Sequence, residues 1–212
     1  MTHQELRTAV VDAARAMEPR GLTRGTSGNV SVRVPEGMLV TPSAVPYHAV
    51  APADLVLLDL EGAVLESTGH RPSTEWRVHA RILATRPDVG SVLHAHPLYC
   101  TTLACHGLHI PAFHYMVAVA GGDSIRCAPY ATFGSPELAD LALTALEDRL
   151  ACLLANHGML AVGPSPAEAL ALAVEVEALA AQYWHALQLG EPVLLDAAEM
   201  DRVMEAFRRY RA

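Results

Sequence analysis

The chain contains no lysine: all fifteen of its Lys and Arg residues are arginine. A catalyst with this sequence cannot form a Schiff base through a lysine amine. If it breaks a carbon–carbon bond beside a carbonyl, the released electrons need another sink, and a metal ion is the obvious one. Aromatic residues are also scarce, at 5% against 51% hydrophobic residues overall, so the core is built from Leu, Val and Ala. Blocks of like charge are missing although the formal net charge is −8, which excludes a nucleic-acid-binding basic surface. The apolar stretches are too short, or too interrupted by charge, to span a bilayer. The first helix carries Glu5, Arg7, Asp12 and Arg15 where a signal peptide would be apolar. The four cysteines, Cys100, Cys105, Cys127 and Cys152, form no CxxC pair and read as reduced, mostly buried thiols. These absences predict a cytoplasmic protein.

What is present reads as one domain over residues 1–212. Thr2 and Glu5 form a capping box for a helix to about residue 19. "NVSVRV" with "MLVTP", and "LVLLDL" with "AVLES", alternate as two hairpins. Helical spacing follows over 74–86, then a strand "VGSVLHAH" ended by Pro97, and a helix to Gly107. Short strands are predicted around Gly121-Gly122 within 115–128. Ser135-Pro136 opens a helix to about Leu150. "ACLLANHG" and "MLAVG" read as strands meeting at a turn, Ser165 and Glu168 open a long helix to Gly190, and a last helix starts near Asp196. The expected fold class is α/β: three α/β/α layers around a central, largely antiparallel sheet.

His94 and His96 stand two apart on a strand, so both imidazoles face one side. Paired neutral imidazoles suit Zn²⁺, and a third ligand would leave an open, catalytic-type position. His157 supplies a candidate third ligand, at a turn between two apolar strands where a buried polar ring needs a purpose. Against this stands the plainer reading of satisfied core histidines. His79 is read as lying on its helix face, and His3, His48, His70, His106, His109 and His185 fall at ends, loops or helix surfaces. Glu75, at the start of a helix, reads either as a capping carboxylate or as the base that a catalytic zinc requires. "GTSGNVSV" is a small-residue loop able to present backbone N–H groups to an anion.

The stretches "GTSGNVSVR", "GMLVTPS", "PSTEWRVH", "VLHAHPLYCT", "IPAFHYMVAVAGGDSIRCAPYATFGSPEL", "NHGMLAVG" and "EVEALAAQYW" together resemble the class II aldolase/adducin family over essentially the whole chain. The resemblance implies one zinc per subunit held by His94, His96 and His157, with Glu75 as base and resting ligand. It implies a phosphate site at Ser27, Gly28, Asn29, Thr41, Ser43, Ser73 and Thr74, and an aldehyde pocket lined by Phe133 and Tyr210. Tyr115 would work at the aldehyde end, reaching the site of a neighbouring subunit in a homotetramer. The implied reaction is cleavage of a ketose 1-phosphate, foremost L-fuculose 1-phosphate, to dihydroxyacetone phosphate and L-lactaldehyde. Similar scaffolds serve methylthioribulose-phosphate aldolases and dehydratases, pentulose-phosphate epimerases (expected to carry Asp at position 75) and adducin modules without the metal site. Ala44, Thr74 and Asp123 depart from the family pattern. Ala44 replaces a glycine whose positive φ would cost alanine roughly 1 kcal/mol.

Overall fold

A computed structural model describes residues 2–211, with side chains through Arg209. Helices α1 (His3–Met17), α2 (Trp76–Thr85), α3 (Leu98–Cys105), α4 (Pro136–Ala145), α5 (Pro166–Leu189) and α6 (Ala197–Arg211) accompany eight strands. The strands are β1 (Asn29–Val34), β2 (Gly37–Val40), β3 (Val56–Leu58), β4 (Val64–Glu66), β5 (Ser91–Ala95), β6 (Arg126–Ala128), β7 (Ala151–Leu154) and β8 (Gly158–Gly163). They form one sheet in the order β4-β3-β2-β1-β5-β8-β7-β6. Every pairing is antiparallel except β6 with β7. Both predicted hairpins, β1–β2 and β3–β4, form. Among the described residues, no helix is long and apolar enough to cross a membrane.

Side-chain alternation divides the apolar residues of the strands between two cores. Val30, Val32, Leu93, Leu153 and Met159 join residues of α1, α3 and α5, while Val40, Val92, Cys152, Leu154 and Leu160 join those of α2 and α4. Arginine does the fastening that a lysine-free chain cannot assign elsewhere. The Arg33 guanidinium donates to the carbonyls of Leu83, Arg86 and Val89, closing the end of α2 onto β1. Arg7, itself buried, donates to Pro52 O and Leu55 O and pairs with Glu66. One planar fork reaching several acceptors is a geometry an ammonium does not offer.

Two expectations need correction. Residues 115–120 form a 3-10 helix, not a strand: the His114 ring accepts the Met116 amide at 3.2 Å, and Gly121 ends the turn at φ 92°. Helix α4 stops at Ala145, well short of Leu150, because a tight turn with Asp148 at φ 55° redirects the chain. Of the cysteines, Cys100 and Cys152 are buried, Cys127 is half-buried and Cys105 is exposed, all as free thiols.

Ala44 adopts φ 60°, the left-handed conformation that glycine tolerates and alanine resists. Ala44→Gly is therefore expected to raise stability, by about 1 kcal/mol. Urea unfolding would measure the gain, and an unchanged or lowered midpoint would show that the loop carries no such strain.

Candidate active site

Strand β5 pairs with β1 on one side and β8 on the other, placing Asn29 opposite His94 and Ala95 opposite Met159. The His94 Nδ1–H donates to Met159 O at 2.9 Å, which leaves its Nε2 lone pair for the cleft. His96 follows the last residue of β5, where Pro97 ends pairing and caps α3. His157 comes from the β7–β8 turn, whose residues each have a local reason. Asn156 takes the left-handed position at φ 55°, which asparagine tolerates. Gly158 follows because a Cβ there would stand 2.3 Å from Ala95 O and 2.7 Å from the His96 ring. Gly158→Ala is accordingly expected to push His96 and His157 apart and weaken divalent-metal binding at least about tenfold. A competition titration with a chromogenic chelator would measure this, and unaltered affinity would contradict the packing argument.

The three rings stand with centroids 4.7, 4.7 and 4.9 Å apart, and the Nε2 atoms of His94 and His96 are 2.8 Å apart. Glu75 completes the group: Oε2 lies 3.2 Å from His94 Nε2 and Oε1 3.2 Å from His157 Nε2. One ligand atom from each of the four residues falls within 4.8 Å of the others. Three imidazoles and a carboxylate converging at the head of a cleft are a donor set that fits Zn²⁺. Sequence reasoning left open whether Glu75 caps its helix. It occupies the N-cap position of α2, yet its side chain makes no capping bond, so the carboxylate is spent on the histidines instead.

Burial alone would raise the Glu75 pKa, but the facing imidazoles of His94 and His157 outweigh it and hold the carboxyl far below its usual range. For His94, the burial penalty is likewise overcome by the Glu75 carboxylate, and its pKa rises. Burial, then the His94 charge, brings His96 down to about 4.

Of the residues expected at the phosphate, Asn29 and Ser73 bond Glu75, Gly28 packs on His94 O and Thr74 lines the cleft described below. Segment 41–43 pairs with 71–73 through Ser43 N to Arg71 O at 2.9 Å and Ser73 N to Thr41 O at 3.1 Å. Thr41 Oγ1 accepts the Val30 amide and Ser73 Oγ accepts the Glu75 amide. The Ser27 hydroxyl donates to Arg24 O, and Tyr47 OH donates to Ser27 O and Gly28 O beneath the loop. Gly28, at φ 81°, lies so close to β5 that a Cβ would meet His94 O at 2.6 Å. Asn29 is 2% exposed, and its Nδ2 donates to Glu75 Oε2 at 3.1 Å.

A cleft of about 270 Å³ is lined by Thr74, Glu75, His96, His157, Tyr130, Ala131, Phe133 and Asn156. Phe133, expected in the aldehyde pocket, is among the residues lining this cleft, whereas the Tyr210 side chain is outside the described residues. Tyr115 does not line the cleft. It is 50% exposed and stacks on Phe207 at 6.3 Å. Asp123, read as added charge near the site, pairs with Arg149 at 2.6 Å and is not among the cleft residues. Sequence reasoning missed Tyr130, and it missed His79, which is fully buried and bonded to Ser31 and Asn29. The spacing of His79 four residues after Glu75, on the same helix face, was the signal that could have found it.

A mostly antiparallel sheet carrying a Glu/His₃ centre defines a recognisable class, and the chain belongs to the class II aldolase and adducin family. The family described as Class II Aldolase and Adducin N-terminal domain matches residues 8–184. Among full-length relatives, the chain is 54% identical over 206 residues to the 5-methylthioribulose-1-phosphate/5-deoxyribulose-1-phosphate aldolase of Rhodospirillum rubrum, covering 97% of this chain and 92% of that one. It is 43% identical over 211 residues to the L-fuculose phosphate aldolase of Escherichia coli, covering 99% and 97%. A solved L-fuculose 1-phosphate aldolase superposes with a TM-score of 0.93 at 39% identity, covering 96% of each chain. The protein is thus an enzyme of the aldolase branch, a metal-dependent lyase by class.

Proposed function

We propose that this protein cleaves the C3–C4 bond of a ketose 1-phosphate, reversibly, to dihydroxyacetone phosphate and an aldehyde. The observation that carries this reading is the convergence of Glu75, His94, His96 and His157 on one point at the head of the cleft. Zinc held by the three imidazoles would supply the electron sink that a lysine-free chain cannot draw from a lysine Schiff base. The remaining chemistry belongs to the side chains. As C3–C4 breaks, the C4 hydroxyl loses its proton and C3 gains one. Glu75, ionised and aimed at the centre, exchanges the proton at C3. The C4 oxygen needs a second proton carrier, and we assign that role to the partner subunit's Tyr115. Neutral donors of Ser27, Gly28, Asn29, Thr41, Ser43, Ser73 and Thr74 hold the phosphate.

The apolar wall of Tyr130, Ala131 and Phe133 suits a substrate whose far end is uncharged. The 54% relative is named for 5-methylthioribulose and 5-deoxyribulose phosphates and the 43% relative for fuculose phosphate. We therefore rank a five-carbon substrate with an apolar tail ahead of L-fuculose 1-phosphate, the reverse of the order implied by sequence resemblance. Dihydroxyacetone phosphate release, coupled to a dehydrogenase, should be fastest with 5-methylthioribulose 1-phosphate or 5-deoxyribulose 1-phosphate. A higher kcat/KM for L-fuculose 1-phosphate would restore the other order, and no release from any of the three would overturn the aldolase reading. This reading includes a single domain over 1–212 in three α/β/α layers, acting as a cytoplasmic homotetramer with sites between subunits.

A further inference from the structure

Behind Glu75 a line of buried polar groups runs through Asn29 to His79 and Ser31, and the proposed chemistry gives these last two no role. Glu75 Oε2 accepts from Asn29 Nδ2 at 3.1 Å, Asn29 Oδ1 meets His79 Nε2, and His79 Nδ1 meets Ser31 Oγ at 2.7 Å. Their exposures are 8% for Glu75, 2% for Asn29, and 0% for His79 and Ser31. Water therefore does not compete for these bonds, and each buried polar atom must be satisfied by the next.

The bond at the Glu75 end, Asn29 Nδ2 to Oε2, fixes the direction of the whole line. A carboxylate only accepts, so Asn29 must turn its NH₂ toward Glu75 and its carbonyl oxygen toward His79. That oxygen needs a donor, so His79 carries its proton on Nε2. Nδ1 is then an acceptor, and the Ser31 hydroxyl donates to it. Ser31 has its backbone oxygen engaged separately by the Ser91 hydroxyl at 2.6 Å. The opposite tautomer of His79 would set lone pair against lone pair at Asn29. The amide would then flip and place its oxygen against the carboxylate.

We infer that His79 is a positioning residue for Glu75: by donating from Nε2 it locks the Asn29 amide, and the locked amide holds Oε2 at the centre. The same amide belongs to the loop assigned to phosphate, so one side chain registers the phosphate end of the site against its base. The inference rests on the reading of Glu75 as base, but its central element, a direction of hydrogen bonding, can be measured without substrate.

Two substitutions separate this role from simple packing. Glutamine places its amide nitrogen near the position of Nε2 and can still donate to Asn29. Asparagine reaches only as far as Nδ1 and cannot. Both remove the ring, and asparagine, one methylene shorter, also leaves the larger gap, so the tautomer measured below decides between bonding and packing. His79→Gln should keep zinc affinity and C3 proton exchange within a few-fold of the parent. His79→Asn should lose about 10–100-fold in each, the usual effect of removing an outer partner of a metal ligand. Equal losses in both variants would reduce His79 to a packing residue and overturn the inference. The tautomer tests it independently of whether His79→Asn folds. In ¹⁵N-histidine-labelled parent protein loaded with zinc, His79 should show a protonated Nε2 and an unprotonated Nδ1. The reverse tautomer would overturn the inference and leave the aldolase reading intact. Failure of exchange in the parent, with the expected tautomer present, would instead count against the base role of Glu75.

Discussion

Glu75→Gln should lower the exchange of the C3 proton of dihydroxyacetone phosphate with solvent by about 10²–10⁴-fold, the range that positioned acid–base groups contribute. The parent carboxylate is ionised because two imidazoles face it, despite 8% exposure. At neutral pH it is therefore already in the form that takes a proton. Glutamine has nearly the same shape and can still accept from Asn29 through its amide oxygen, but it has no basic lone pair of comparable strength. Zinc should remain at one per chain, since His94, His96 and His157 are untouched. Deuterium uptake into dihydroxyacetone phosphate followed by NMR, beside metal analysis of the same sample, gives both numbers. Exchange within threefold of the parent would remove Glu75 from the role of base. Loss of zinc would show that the carboxylate is needed mainly as a ligand.

Removing the metal should have an effect as large, on both activity and stability. Cleavage should disappear on treatment with a chelator and return with Zn²⁺. Binding to the native state alone stabilises by RT ln(1 + [L]/Kd), about 2.7 kcal/mol at a hundredfold excess over Kd. For a chain of this length that corresponds to a melting temperature about 5–10 °C higher than for stripped protein. The gain should shrink as the pH falls, because imidazoles must give up their protons to bind metal. A chelated sample that melts at the same temperature and cleaves at the same rate would exclude a metal centre at these residues.

The parts of the site legible in the sequence are those set by local periodicity. Residues two apart on a strand must share a face, so His94 and His96 were readable as a pair. "NHG" was readable as a turn because asparagine and glycine each tolerate positive φ. Glu75 was found, but its two readings were separable only by where the carboxylate points, and that is decided by β5 and β8, far away in sequence. At the helical spacing of Trp76 and Leu83, His79 reads as an ordinary helix-face residue with no chemical role. Helix α2 is packed by the sheet and by α4, which buries Val78, His79, Ala80, Ile82 and Leu83 together. The opposition of Asn29 to His94 across β1 and β5 had no local signature at all. Tyr115 carried no signal for its position either, since its alternating neighbours "MVAVA" suit a strand as well as the 3-10 helix they form.

The sheet order β1-β5-β8 also dictates when the centre can come into being during folding. Its side chains stand at positions 29, 75, 94, 96 and 157, and β5 must find β1 some sixty residues before it and β8 some seventy after. Such distant pairings form late and slowly, since loop closure precedes any reward. Before then the nascent chain displays eleven histidines and four thiols with nothing to rank them as ligands. Only the His94/His96 pair is close in sequence, so the complete four-residue group is expected to assemble only after β1, β5 and β8 have paired.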